Sequence, residues 1–315
     1  MRCSERGKGR FGLIGTITWD KIHRASGERW QTPGGILYQA ACLCALGAEV
    51  ILMSQVGAEL WPKIQKIIAG WPGLKLDGLK IIPGPGNVVQ LDYPARGERR
   101  EKLNWAAPPL SLSQIWPLLD KIDFLMMVFN SGFDLDFYAW RQIIQKRSFP
   151  LWLDLHSLVL SPCFGRRKYE SLVSWPAWVE GVDYLQVNER EAACLLGFPE
   201  RKLTLDDLNF LADQALALGL KALFITLGKK GVFVATPDNR EIIRVKERKR
   251  IVDSTGCGDC LAACCGWQLF QGKSVAEAIR FGVSVAGHLV STRGVTSAFR
   301  LISKFSQKKE VVTKK

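Results

Sequence analysis

Short apolar runs alternate with longer amphipathic stretches along almost the whole chain, and this alternation restricts the fold more than any other feature. The runs Gly12–Ile17, Val50–Val56, Phe124–Phe129, Leu151–Leu155, Tyr184–Val187, Ala222–Thr226 and Gly231–Ala235 read as strands. Between them, Gly35–Leu46, Trp61–Ala69, Leu135–Lys146, Glu189–Leu196, Leu205–Leu218, Gly258–Gln271 and Val275–Ser291 read as helices. Strands separated in this way predict a mostly parallel central sheet covered by helices on both faces, a three-layer α/β/α fold. The chain has 315 residues, 47% of them hydrophobic, enough for one large domain over residues 1–315. Two stretches, 18–33 and 84–109, break the alternation with polar, Gly, Pro and Trp residues. Irregular segments of that length in a compact domain are usually functional, and these two are predicted to form a small β lid over a cleft.

Charge and cysteine usage narrow the setting. The formal net charge is +13, with basic residues gathered at the ends (Arg2, Arg6, Lys8, Arg10; Lys308, Lys309, Lys314, Lys315) and in Lys246, Arg248, Lys249 and Arg250. No aromatic-interleaved basic stripe accompanies them, so they read as solvated flanks and nucleic acid is not expected as a partner. No apolar run is long enough to span a bilayer, and the apolar start at Phe11 ends at Trp19-Asp20 without a small-residue cleavage site. Nine cysteines at irregular spacing fit free thiols in a reducing cytoplasm rather than a disulfide framework.

The segment richest in chemistry is Asp253-Ser254-Thr255-Gly256-Cys257-Gly258-Asp259, which runs into an apolar helix. A Gly-x-Gly turn at a helix start leaves backbone N–H groups pointing outward at the positive end of the helix dipole. Such a turn suits a transferring phosphoryl group, and an aspartate in it can accept a proton from a hydroxyl beside that phosphate. An acidic N-cap in a tight turn would leave the same trace if it stood alone. By the same reasoning, the Cys257 thiol among free N–H groups is expected to have a lowered pKa and modest reactivity.

The wider sequence is similar to the ribokinase-like (PfkB) family of carbohydrate and nucleoside kinases. Asp253–Asp259 resembles that family's Asp-Thr-Thr-Gly-Ala-Gly-Asp signature, with Ser254 and Cys257 as departures. Asn188-Glu189-Arg190-Glu191 resembles its Asn-x-x-Glu motif, and Thr226-Leu227-Gly228-Lys229-Lys230-Gly231 its nucleotide-side turn. Gly15–Asp20 resembles a first strand ending in a substrate-binding aspartate. Pro33-Gly34-Gly35, Ala40-Ala41, Leu46-Gly47 and Val56-Gly57 resemble the N-terminal signature. The matches follow the family's order over nearly the whole chain.

The resemblance implies a ribokinase-like fold and transfer of the γ-phosphoryl group of ATP to a hydroxyl of a sugar or nucleoside. It makes Asp259 the general base and Gly256, Cys257 and Gly258 the anion hole. Asp20, Gly34, Gly35 and Gln39 fall on the acceptor, Gln39 standing where the family usually carries asparagine. Thr226, Gly228, Gly231, Asp253 and Thr255 fall on ATP, and the Gly287–Gly294 segment near the adenine. Asn188 and Glu191 would organise Mg2+, largely through water. A monovalent cation such as K+ and a homodimer through the lid are further features the family admits. Tyr38, Trp19 and Trp30 are read as lid core or as a stacking face.

Other readings fare worse. Cys257–Cys260 spells C-x-x-C, but no second cysteine pair or histidine cluster completes a tetrahedron. Gly272-Lys273-Ser274 lacks the earlier glycine of a Walker A loop, and no Gly-x-Gly-x-x-Gly fingerprint is present. His23, His156 and His288 show no metal spacing, although Asp154-Leu155-His156 ends a predicted strand, where clefts form. A non-catalytic ligand sensor or interaction protein retaining the kinase fold is the alternative; the intact Asp259, Asn188 and Glu191 argue against it.

Overall fold

The computed structural model describes residues 7–95, 99–245 and 251–313, the last seven as helical backbone only. Arg2, Arg6, Arg96, Lys314, Lys315 and the cluster Lys246–Arg250 lie outside these residues. In chain order the strands are β1 (Arg10–Ile14), β2 (Ile17–Arg24), β3 (Arg29–Gly35), β4 (Glu49–Gly57), β5 (Leu74–Lys75), β6 (Leu79–Ile82), β7 (Asn87–Tyr93), β8 (Arg100–Trp105), β9 (Phe124–Val128), β10 (Leu151–Asp154), β11 (Gly165–Arg166), β12 (Tyr184–Asn188), β13 (Ala222–Thr226), β14 (Val232–Ala235) and β15 (Arg240–Ile243). The helices are α1 (Leu37–Ala45), α2 (Trp61–Ile68), α3 (Leu112–Ile115), α4 (Phe137–Lys146), α5 (Trp175–Val179), α6 (Glu189–Leu195), α7 (Leu205–Ala217), α8 (Cys257–Phe270), α9 (Val275–Leu289) and α10 (Gly294–Thr313).

Ten strands make one sheet in the order β15-β14-β13-β12-β10-β9-β1-β4-β5, with β6 also on β4. Every pairing in it is parallel except those of β14 and β15 at one edge. The period of two along each strand divides the side chains between two cores. In β9, Phe124, Met126 and Val128 face one core with α1, α8 and α9, while Leu125 and Met127 face the other with α4, α6 and α7. A strand buried on both faces has no polar side, which is why these runs read as continuously apolar.

The segments 18–33 and 84–109 fold into a smaller sheet, β11-β8-β7-β2-β3, around Ile22, Val89, Leu91 and Leu103. Its fifth strand, β11, has no counterpart among the expected elements. Pro33 sits in β3, at the edge of this sheet, where its missing N–H costs no ladder bond.

One expectation needs correction. The run Gly12–Ile17 is not one strand: β1 stops at Ile14, and the chain leaves the large sheet to begin β2 at Ile17. The buried Asp134 carboxylate causes the break by capturing the Thr16 backbone N–H (2.9 Å) and hydroxyl (2.7 Å). Asp20 therefore lies inside β2 of the smaller sheet and does not end the first strand. In the Gly287–Gly294 segment, Gly287 is buried within α9, as the predicted helix Val275–Ser291 implies, and Gly294 opens α10. A Cβ on Gly294 would stand 3.0 Å from Thr32 Oγ1 of the smaller sheet.

Candidate active site

The polar residues gather at the C-terminal ends of the parallel strands, the edge where α/β sheets open into clefts. Asp154 ends β10, Asn188 ends β12, Thr226 ends β13, and Asn130 follows β9. A groove of about 570 Å3 at the opposite ends of the strands, by Phe124, Pro150 and Tyr184, holds none of them.

The turn into α8 is built as its sequence implies. Gly256 is the N-cap with φ 76°, and a Cβ there would stand 2.3 Å from the Tyr38 ring, so only glycine fits. Asp253 Oδ1 accepts the Thr255 N–H (3.0 Å), which shapes the loop before it. Of the turn's amides, Cys257 N–H donates to Ser254 O (3.2 Å). The N–H groups of Gly256 and Gly258 have no acceptor among the described residues and stand at the positive end of α8.

Asp259 opens α8 with its Oδ1 buried and without a hydrogen-bond partner among the described residues. Burial, and then the charges of Asp154 and Asp20, push its pKa up to about 8. Burial also raises Asp20 to about 7 against a hydrogen bond from Thr18, and Glu191 to about 8, with Asp259 among the charges acting on it. Asp154 is held well above the ordinary range by burial and by Glu191. Four carboxyl groups thus share one poorly solvated space. The guanidinium of Arg99, which immediately precedes β8, acts favourably on Asp20, Glu191 and Asp259. Gln186 ties the floor together: its Nε2 donates to Asp154 Oδ2 (2.8 Å) and to Gly258 O (3.2 Å).

Asn188 and Glu191 form a capping box on α6. Asn188 Oδ1 accepts from the N–H groups of Arg190 and Glu191 (both 2.9 Å), and Glu191 Oε2 accepts the Asn188 N–H (2.8 Å). The Asn188 amide also donates to Glu191 Oε1. Asn188 lies in register with Thr226 on β13. The turn after Thr226 reverses through Gly228 (φ 57°) and Gly231 (φ 110°) and closes with Leu227 N–H to Gly231 O (2.8 Å).

On the other side of Asp259 lies the smaller sheet. Asp20 is 4% exposed, and Gly34 leaves it room: a Cβ on Gly34 would stand 2.1 Å from Asp20 Oδ2. Gly35, at φ 59°, turns the chain into α1, where Gln39 is fully buried with both its amide nitrogen and oxygen unpartnered. Trp30 lies between the guanidinium groups of Arg24 and Arg293, and Trp19 donates to Gln31 (2.8 Å) with Lys63 over its ring. Tyr38 packs under Gly256. These aromatics form packing layers, and none is a free stacking face. Tyr93 of β7 meets Thr255 through their hydroxyls (3.0 Å), joining the smaller sheet to the α8 turn.

The Cys257 thiol is a correction. Burial, then Cys260 and two aspartates, push its pKa above the ordinary thiol value, opposite to the lowering expected at the turn. Its Sγ lies toward Ala286 O of α9, away from the turn's free N–H groups. Cys260, Cys264 and Cys265 are buried in the core, and no group of His, Cys, Asp or Glu among the described residues is placed to hold a metal directly.

Two site residues escaped the sequence reading. Asn130, with a buried unpartnered Oδ1, and Gln186 line the floor but belong to no motif, beside Asp154, which the sequence placed at a strand end without a role. Asp134 organises the loops around them, accepting from Thr16, from the N–H and hydroxyl of Ser131 (2.9 and 3.0 Å) and from Gly132 N–H (3.0 Å). A polar residue just past each apolar run was the available signal.

Comparison with known proteins agrees with this architecture. Ribokinase from Schizosaccharomyces pombe is 27% identical over 116 residues, a match spanning 36% of this chain and 36% of that protein. The chain thus covers little more than a third of the length of such curated relatives in sequence. Solved structures align much further. Ribokinase from Thermotoga maritima superposes with a TM-score of 0.73 at 20% identity, covering 95% of this chain and 99% of the other. The Arabidopsis thaliana ribokinase complexed with ribose and ATP does so with a TM-score of 0.75 at 17% identity, covering 95% and 98%. At such identities the superpositions establish a ribokinase fold. Residues 139–300, just over half of the chain and including both the α6 cap and the α8 turn, match the profile described as pfkB family carbohydrate kinase, and the chain belongs to that family.

Proposed function

We propose that this protein transfers the γ-phosphoryl group of ATP to a hydroxyl of a sugar or nucleoside, with Asp259 as general base. The observation that carries the reading is the buried, unpartnered Oδ1 of Asp259 beside two unengaged N–H groups at the start of α8. Asp259 takes the hydroxyl proton as the acceptor oxygen bonds to the γ-phosphorus and the bond to the ADP oxygen breaks. The N–H groups of Gly256 and Gly258, with the helix dipole, meet the charge on the group in transit. Cys257 contributes as the small residue between them.

Asp20 and Gln39 hold acceptor hydroxyls, and Gly34 and Gly35 keep the backbone clear of them. An unpartnered buried carboxamide such as Gln39 is costly unless a ligand or water satisfies it. Thr226, Gly228 and Gly231, with Asp253 and Thr255, border the nucleotide. The smaller sheet acts as a lid that keeps water from the phosphoryl group. Asn188 and Glu191 would hold a hydrated Mg2+ through its waters, their oxygen and amide groups suiting a hard cation, and the ion would supply charge neutralisation at the phosphates. The thiols described are all free, which suits a reducing cytoplasm where ATP is at hand.

The test is ADP release with D-ribose, 2-deoxy-D-ribose, D-fructose, adenosine and inosine as acceptors, for wild type and Asp259→Asn. Wild type is expected to release ADP only with an acceptor. The variant is expected to lose about 10²–10⁴-fold in turnover with ATP affinity kept. Acceptor-independent release, or a variant within a few-fold of wild type, overturns the reading.

A further inference from the structure

His156 takes no part in the catalytic proposal, yet its geometry is the most unusual in the chain. Among the described residues it is the one non-glycine residue with positive φ, at 36°. A side chain in that region is strained, and such residues persist where surrounding bonds hold them. The bonds here are specific. Ser157, the next residue, donates its N–H to Phe129 O (2.9 Å), and its carbonyl accepts from Arg167 Nη2 (3.2 Å). The strand end is thereby folded back so that the imidazole stands two residues beyond Asp154, on the cleft side of the sheet.

The hydrogen bonds also assign the ring's protonation. The Ser157 hydroxyl lies 2.9 Å from Asn130 O and 2.9 Å from His156 Nδ1. A carbonyl only accepts, so the single hydroxyl proton goes to Asn130. Ser157 Oγ must then accept from His156, which places a proton on Nδ1 and leaves Nε2 as a bare acceptor. Nε2 has no partner among the described residues, and the residue is half-buried. The charges facing the ring are the guanidinium groups of Arg99 and Arg167; with burial they oppose a second proton and lower its pKa to about 3. Arg167 is itself 1% exposed and bonded to Ser131 O (2.7 Å), Ser161 O (3.0 Å) and Glu101 (3.3 Å), so it is not free to bind a ligand. Asp154, two residues before His156, is tied through Gln186 Nε2 (2.8 Å) to Gly258 O (3.2 Å), which sets the ring at the edge of the cleft that holds the α8 turn.

Among the described residues this space offers a phosphate on the acceptor no unengaged cation: Arg99 lies 4.0 Å from Glu101, and Arg167 is bonded as above. Arg100 and Lys102, the other described cations of β8, are exposed. We propose that the acceptor is an uncharged polyol and that His156, as a neutral imidazole protonated on Nδ1, selects it by accepting a hydrogen bond on Nε2 from one of its hydroxyls. This rests on the kinase reading above and adds an acceptor class and a selectivity residue to it.

Two measurements test it. In 15N-histidine-labelled protein the His156 ring, identified by its loss in His156→Gln, is expected to be neutral and Nδ1-protonated from pH 5 to 8. Thermal stabilisation in the presence of an ATP analogue is then titrated with D-ribose, D-fructose, myo-inositol, inosine and fructose 6-phosphate. Uncharged polyols are expected to stabilise wild type. The best of them should bind His156→Phe about ten-fold more weakly, with affinity for the ATP analogue unchanged and partial recovery in His156→Gln, whose side-chain oxygen also accepts. An Nε2-protonated or charged ring, equal polyol binding by wild type and His156→Phe, or stabilisation by the sugar phosphate alone overturns the proposal. Failure of the kinase reading looks different: no compound stabilises wild type at all.

Discussion

Asp259 is held in a place that favours its proton, so the group assigned as base is not ready to act at neutral pH. Its pKa of about 8 sets a sign for the rate. A base works only when deprotonated, so kcat/KM for the acceptor should rise with pH through neutrality and level above about pH 8. The residual rate of Asp259→Asn should lack that limb. A profile already flat at pH 6 in wild type would show that another group limits the rate. At this scale the sequence was informative where residue type and backbone chemistry coincide, as in Gly256-Cys257-Gly258-Asp259. It was silent on Asn130 and Gln186, because a lone polar residue after an apolar run has no signature until the strands stand side by side. It misled on Cys257, where burial outweighs the helix dipole that local sequence made visible.

Between elements, small residues set what can approach what. Gly34 on β3 faces Asp20 on β2 through the register that pairs Thr18 with Gly34. A methyl group at Gly34 would meet Asp20 Oδ2 at 2.1 Å and Thr18 Oγ1 at 3.0 Å. Gly34→Ala should therefore move the carboxylate and weaken acceptor binding about ten-fold or more, since a charged hydrogen bond is worth roughly 1.5–3 kcal/mol. ATP-analogue affinity and melting temperature should change little. Calorimetric titration of both ligands checks this, and equal losses for the two would mean a general distortion. The seven predicted helices and the buried strands were legible to within a few residues from their apolar periods, whereas α10, the longest helix, was not among them. The break between β1 and β2 was not, because it depends on Asp134, a residue more than a hundred positions away.

For the molecule as a whole, gathering carboxyl groups in the cleft costs stability. The folded pKa values of Asp20, Glu191 and Asp259, about 7, 8 and 8, lie above the ordinary values near 4 that they regain on unfolding. The native state therefore binds more protons between about pH 4 and 8, and its stability falls as pH rises through that window. In metal-free buffer the melting temperature should drop by a few degrees from pH 6 to pH 8.5. Asp259→Asn should show less of the drop and melt above wild type at pH 8.5; a variant melting below wild type there would contradict the electrostatic account.

The sequence by itself determined the layered fold and family, because apolar periodicity and glycine turns are local and survive being read one residue after another. It also singled out the α8 turn, whose anion-binding character follows from backbone geometry. Only the tertiary structure decided which carboxyl groups share the cleft, which thiols are buried and which partners surround His156. Those depend on burial and on charges brought close by strand pairing, and neither burial nor distance is a property of neighbours along a chain.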